Sequence, residues 1–318
     1  HSKFSISQQF SSAWQKHVVY GPQYNRSKSN YYGLLGDYHT FNFSGDAPSW
    51  TKETFTYSKS PSASPLQQKV ERLKVLYRNP EAPVELSITT PQGPVVKTKI
   101  EASPELGIYT HDLEAPFENV QIGFASGTAS PEVYGVALDC KTGISFDNVP
   151  LRGSSGIEFS RINSGHLKRQ FEALGVKLLI LQFGVNIVPN PLPDYTFYEN
   201  MFYQQLKHLK SLAPDLDILV VGVSDMSYNL DGSYQSYPNI VKIRNAQKKA
   251  AFRAQCAFWD LYEAMGGENS MPSWVFAEPE PLANKDFTHF TGKGAAIVAE
   301  MLYKALILEY FKFNEVIN

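Results

Sequence analysis

The sequence predicts two architectures in one chain: an antiparallel β-sandwich over residues 1–130, then an open α/β sheet over residues 131–318. Three observations carry this. Before residue 130 short alternating segments are separated by Pro, Gly and Asn turns, with almost no helical periodicity. After it two near-continuous apolar runs, Val176 to Phe183 and Ile218 to Val223, read as strands buried on both faces of a parallel sheet. Between and beyond those runs, apolar residues recur at helical spacing.

In the first part, Leu73, Val75 and Tyr77 alternate with their neighbours. Val84 to Thr90 does the same, Pro91-Gln-Gly93 turns, and Val95 to Ile100 runs back, which is a hairpin signature. Val120, Ile122 and Phe124 form another half-buried strand. In the second part, Val133 to Asp139 and Ile144 to Val149 are expected as strands flanking a Cys-Lys-Thr-Gly turn. Phe202, Leu206, Leu209 and Ala213 mark one helix. A second is expected from Asn239 to Gln255, with Pro238 near its start. A third is expected from Lys293 to Phe311, with Ile297, Met301, Ala305 and Leu308 on one face.

The chain has 318 residues, 43% hydrophobic and 13% aromatic, ample for a packed core and against disorder. Its 29 Lys and Arg against 31 Asp and Glu give a net charge of −2, so no basic surface points to nucleic acid. Apolar runs such as Leu178 to Leu181 are too short to span a bilayer. The chain opens on His1 without a charged and apolar leader, so a signal peptide is not expected within it. Cys140 and Cys256 form no CxxC pair and no zinc spacing, and a single disulfide between them stays open. His17, His111, His166 and His208 are isolated, without metal spacing. Asn25-Arg-Ser27 and Asn42-Phe-Ser44 match glycosylation sequons. Tyr31, Tyr32, Trp50 and Tyr57 suit either a sugar-stacking surface or, more simply, the sandwich core.

Three segments carry candidate chemistry. Asp286-Phe-Thr-His289 lies on a loop entering the last helix, where an Asp three residues before a His can fix its tautomer for general-base work. Phe183-Gly-Val-Asn186 follows a buried strand, where open α/β sheets bind ligands, and an Asn amide there can meet an oxyanion. Leu151-Arg-Gly153-Ser-Ser-Gly156 offers a glycine whose N–H can approach a substrate closely. Each has a bland alternative: a helix-start acid, a turn, an ordinary Gly/Ser loop.

In this order the three segments resemble the SGNH/GDSL hydrolase family over about residues 133–318, and more narrowly bacterial peptidoglycan O-acetylesterases with an inserted sandwich similar to a carbohydrate-binding module. The resemblance implies a flavodoxin-like parallel sheet and a serine esterase removing O-acetyl groups from carbohydrate, through an acyl-enzyme and without a cofactor. It assigns Asp286 and His289 to the catalytic machinery, and Gly153 and Asn186 to the oxyanion hole. It also implies an acetylated glycan partner and a periplasmic or extracellular location. A non-catalytic glycan-binding protein and a sugar O-acetyltransferase are the alternatives.

The sequence departs from the family pattern in having no visible Gly-Asp-Ser block. Gly36-Asp37-Tyr38-His39 has Tyr at the nucleophile position and reads as part of the sandwich. Ser154 and Ser155 neighbour Gly153 but are weak substitutes for a nucleophile. The first strand, with its serine, is therefore expected upstream of the sandwich, and in a flavodoxin-like sheet that strand is central. Its loss costs burial comparable with the whole margin of stability, roughly 5–15 kcal/mol. Another polypeptide segment is accordingly expected to fill the slot.

Overall fold

A computed structural model describes residues 6–10, 14–19, 30–41, 51–59, 70–79, 81–91, 93–113, 119–127, 130–151 and 153–317. The chain forms two compact units, residues 1–152 with 161–175, and residues 153–160 with 176–318.

The first unit is the expected sandwich. One sheet has the order β1 (Ile6–Phe10), β4 (Thr51–Lys59), β9 (Asn119–Ser126), β6 (Val84–Thr89), β7 (Val96–Ile100). The other has the order β2 (Trp14–Val18), β3 (Asp37–Phe41), β10 (Glu132–Asp139), β5 (Arg72–Asn79), β8 (Ser103–Asp112). All pairings are antiparallel, and the predicted hairpin is β6–β7, in register from Val84↔Ile100 to Ile88↔Val96. Alternation drives the core: Val120, Ile122 and Phe124 of β9 meet Leu73, Val75, Leu86 and Phe55. Each such side chain contributes about 1.5–3 kcal/mol when fully buried.

Several expectations change here. Strand β10, expected in the α/β part beyond a boundary at 130/131, pairs with β3 and β5 of the sandwich instead. Period-two alternation identifies a strand but not its partner. Helix α1 (Ser164–Leu174), capped by Asn163 and by Gly175 at φ 64°, also belongs to this unit. The segment Ile144 to Val149 is not a strand; Ile144 is 99% and Phe146 77% exposed. An extended segment without a neighbouring ladder leaves its backbone to water, so its apolar pattern alone does not make it a strand. Tyr38 of the Gly36-Asp-Tyr-His39 string is buried in β3, and Asp37 pairs with Lys16 at 2.6 Å. Tyr32 and Tyr57 are core residues, and the Arg78 guanidinium lies over the Tyr31 ring at 4.0 Å. Trp50, Asn25 and Asn42 lie outside the described residues.

The second unit is built on a parallel sheet of order β11 (Leu178–Gln182), β12 (Asp217–Val221), β15 (Ala257–Trp259). Helices α2 (Thr196–Leu212) and α3 (Ile240–Arg253) make the two crossovers, burying Phe202, Leu206 and Leu209, and Ile243 and Ala250. A hairpin, β13 (Ser227–Leu230) and β14 (Ser233–Ser236), follows β12. Short helices α4 (Leu261–Ala264) and α5 (Ser270–Val275) precede the long α6 (Gly292–Ile317). Strand β12 is flanked on both sides and buried from Ile218 to Val221. Among the described residues β11 pairs only with β12, and Leu178 is 46% exposed. The far part of α6 leaves Tyr303, Leu308 and Phe311 exposed. Cys256 is a buried free thiol, so no disulfide joins it to Cys140. Among the described residues no helix is long and apolar enough to cross a membrane.

Candidate functional site

The loop 283–291 is folded tightly by its own backbone. Ala283 and Phe290 bridge, Asn284 N–H donates to His289 O at 2.8 Å, and Phe287 N–H donates to Asn284 O at 3.0 Å. Phe287 takes a left-handed φ of 55°, a conformation costly for a bulky residue unless its surroundings hold it. They do: its buried ring stacks on Tyr234 with centroids 3.6 Å apart, and its carbonyl accepts Ser227 N–H at 3.1 Å. Thr291 ends the loop and caps α6, its Oγ1 accepting Gly294 N–H at 3.2 Å and donating to Pro281 O at 2.8 Å. Gly294 is required there, because a Cβ would stand 1.8 Å from Leu282 O.

This turn brings Asp286 and His289 together. Oδ1 of Asp286 accepts the Thr288 and His289 N–H groups, each at 3.0 Å, while Oδ2 lies 2.8 Å from Nδ1 of the His289 ring. An ionised Asp286 therefore selects the Nδ1–H tautomer and leaves Nε2 with its lone pair outward. Desolvation pushes the Asp286 carboxyl up, but the hydrogen bonds from His289 and Thr288 outweigh it and hold the group below the usual Asp range. The His289 side chain is 71% exposed, as a proton-transfer group open to a substrate must be.

Gly153 and Asn186 meet through Ser154. The Asn186 amide N–H donates to Ser154 O at 2.9 Å, and Asn186 stands in the loop that follows β11. Gly153 is exposed at φ 79°, with open space where a Cβ would project. Gly156, at φ 90°, presses on Phe183, whose ring atoms would lie 2.7 Å from an added Cβ. Ser154 is fully buried, and its hydroxyl donates to Glu158. Glu158 also accepts the N–H groups of Ser155, Gly156 and Ile157, so one buried carboxylate shapes the whole loop.

Residue spacing does not reveal Glu158, Gln247 or Asp225. Gln247, fully buried on α3, donates to Phe183 O at 2.9 Å and accepts Val223 N–H at 2.9 Å, tying the loop after β11 to the loop after β12. A polar residue on the helix face shared by Ile243, Ala246 and Ala250 is the signal that marks it. The loop after β12 in turn holds the Asp286–His289 turn through Ser227 N–H and Phe287 O. All three loops are thus linked at the carboxyl end of the sheet, where open α/β sheets place their sites. Among the described residues no group of three or more His, Cys, Asp or Glu side chains is arranged to hold a metal ion.

The GDSL-like lipase/acylhydrolase family model matches residues 118–297, more than half of the chain. The chain is similar in fold to a solved peptidoglycan O-acetylesterase, at 19% identity and TM-score 0.67, covering 95% of this chain and 77% of that one. Weaker likenesses, too low to carry an argument, are to the acetyl xylan esterase AlAXEase (16% identity, TM-score 0.36, 48% of this chain and 76% of that one) and to YXIM_BACsu from Bacillus subtilis (14% identity, TM-score 0.34, 95% and 90%). No curated protein matches the chain. The chain belongs to the GDSL-like lipase/acylhydrolase family.

Proposed function

We propose that the protein is a serine esterase that removes O-acetyl groups from carbohydrate, with peptidoglycan the favoured substrate, working in the periplasm or outside the cell. One observation carries the chemistry: the 2.8 Å contact between Asp286 and Nδ1 of His289, which orients the imidazole as a base. The substrate class rests on the fold shared with the peptidoglycan O-acetylesterase.

In the proposed mechanism a serine hydroxyl attacks the acetyl carbonyl and His289 Nε2 takes its proton. Gly153 N–H and the Asn186 amide stabilise the oxyanion of the tetrahedral intermediate. Collapse breaks the bond to the sugar oxygen, which leaves as a hydroxyl with the proton from His289. Water, deprotonated by the same ring, then releases acetate and regenerates the serine. Ser154 is an unsuitable nucleophile, being buried with its hydroxyl committed to Glu158. We assign the nucleophile to another polypeptide segment, upstream of the sandwich, that pairs with the edge of β11. Its support is the half-exposed apolar surface of β11, an edge that proteins normally cover.

Hydrolysis of p-nitrophenyl acetate and of O-acetylated peptidoglycan by full-length protein, compared with His289→Ala, tests the assignment. The variant is expected to lose about 10⁴-fold or more in kcat. Equal activity in both rejects His289 as the base.

A further inference from the structure

Directly after β12 stands a carboxylate that the proposed chemistry does not use. Asp225 is fully buried, and its partners are neutral donors. Oδ1 accepts the Ser236 hydroxyl at 2.6 Å, and Oδ2 accepts Met271 N–H at 2.8 Å. Ser236 is held from a second side, its hydroxyl oxygen accepting Asn269 N–H at 2.8 Å and its own N–H donating to Asn269 Oδ1 at 2.9 Å. Ser236 pairs with Ser227 across the open end of the β13–β14 hairpin, away from its turn. Burying a carboxylate among neutral donors is expensive, and burial does push this group up from the usual Asp range. A packed core gains nothing from it that an apolar side chain would not supply more cheaply.

The hairpin it fixes has two contacts that matter. Ser227 N–H donates to Phe287 O, and the Tyr234 ring lies flat on Phe287 at an interplanar angle of 11°. Phe287 is the left-handed residue between Asp286 and Thr288, so its orientation sets where the carboxylate and the imidazole point. We propose that Asp225 is a positioning residue: it locks the β13–β14 hairpin, and the hairpin holds Phe287 so that Asp286 keeps His289 in the Nδ1–H tautomer. This rests on the esterase reading for its consequence in catalysis, but not for its consequence in tautomer.

The test uses full-length protein and three variants, Asp225→Asn, Ser236→Ala and Tyr234→Ala, the last two at less buried positions that guard against a simple failure to fold. Two readouts are taken: ring-nitrogen NMR of His289 above its titration range, and steady-state hydrolysis of p-nitrophenyl acetate. Folded Asp225→Asn is expected to shift His289 from the Nδ1–H form toward a mixture, and to lower kcat by on the order of 10²-fold with KM within about twofold, as a misplaced catalytic group does. Ser236→Ala and Tyr234→Ala should move both readouts the same way by less. An unchanged tautomer in the folded variants overturns the proposal, whatever happens to kcat; if Asp225→Asn does not fold, the other two decide by the same rule. A tautomer shift in a protein without esterase activity upholds the positioning role and removes the esterase reading instead.

Discussion

The two units bury their apolar surface to different degrees. In the sandwich, Leu73, Val75, Val84, Leu86, Val120, Ile122 and Phe124 are all wholly inside, and each central strand is flanked on both sides. In the α/β unit, among the described residues, only β12 is flanked by strands on both sides; β11 shows Leu178 at one edge, and α6 leaves Phe311 59% exposed. The polar residues differ too. In the sandwich the partly buried pair of Arg78 with Glu132, at 2.8 Å, joins neighbouring strands. In the α/β unit Glu158, Gln247 and Asp225 organise loops at the carboxyl end of the sheet. One unit spends its sequence on a core, the other on aiming side chains.

Substitutions separate the two roles, and the largest effect should fall on the loops. Asp286→Asn keeps the shape of the turn but removes the charge that selects the tautomer, and should lower kcat by about 10⁴-fold with the melting temperature little changed. Phe124→Ala should do the reverse, costing about 3–5 kcal/mol of stability in denaturant titrations while the folded fraction keeps its activity. Asn186→Ala removes one oxyanion donor and should cost about 10²–10³ in kcat on p-nitrophenyl acetate. The smallest effect concerns acid. A carboxyl held below its ordinary range, as Asp286 is, adds stability that is fully present above the unfolded value near pH 4 and is lost as pH falls through the folded value. Stability curves of wild type and Asp286→Asn should therefore converge below about pH 4. Parallel curves through that range would mean the turn gains nothing from the ionised carboxylate.

What the sequence revealed follows from how local each interaction is. The β6–β7 hairpin was legible because its strands and its Pro91–Gly93 turn lie within one short stretch. The Asp286–His289 pair was legible because three residues on one turn suffice to make it. The sheet membership of β10 was not, since Val133 and Tyr77 meet across more than fifty residues. Nor was the unformed strand at Ile144, whose apolar pattern says nothing of whether a neighbour is present. Glu158 hides for another reason: it accepts the backbone N–H groups of Ser155, Gly156 and Ile157, which leave no mark on the sequence. Asp225 reads as an unremarkable loop acid until Ser236 and Met271 are brought beside it.

The most direct measurement is to mix full-length protein with p-nitrophenyl acetate, quench within one turnover, and locate any acetyl group by peptide mass spectrometry. An acyl-transfer site built on Asp286 and His289 should give a burst of p-nitrophenol and one acetylated serine outside residues 153–160, with no adduct in His289→Ala. Acetylation of Ser154 or Ser155, or turnover without any covalent adduct, would contradict it.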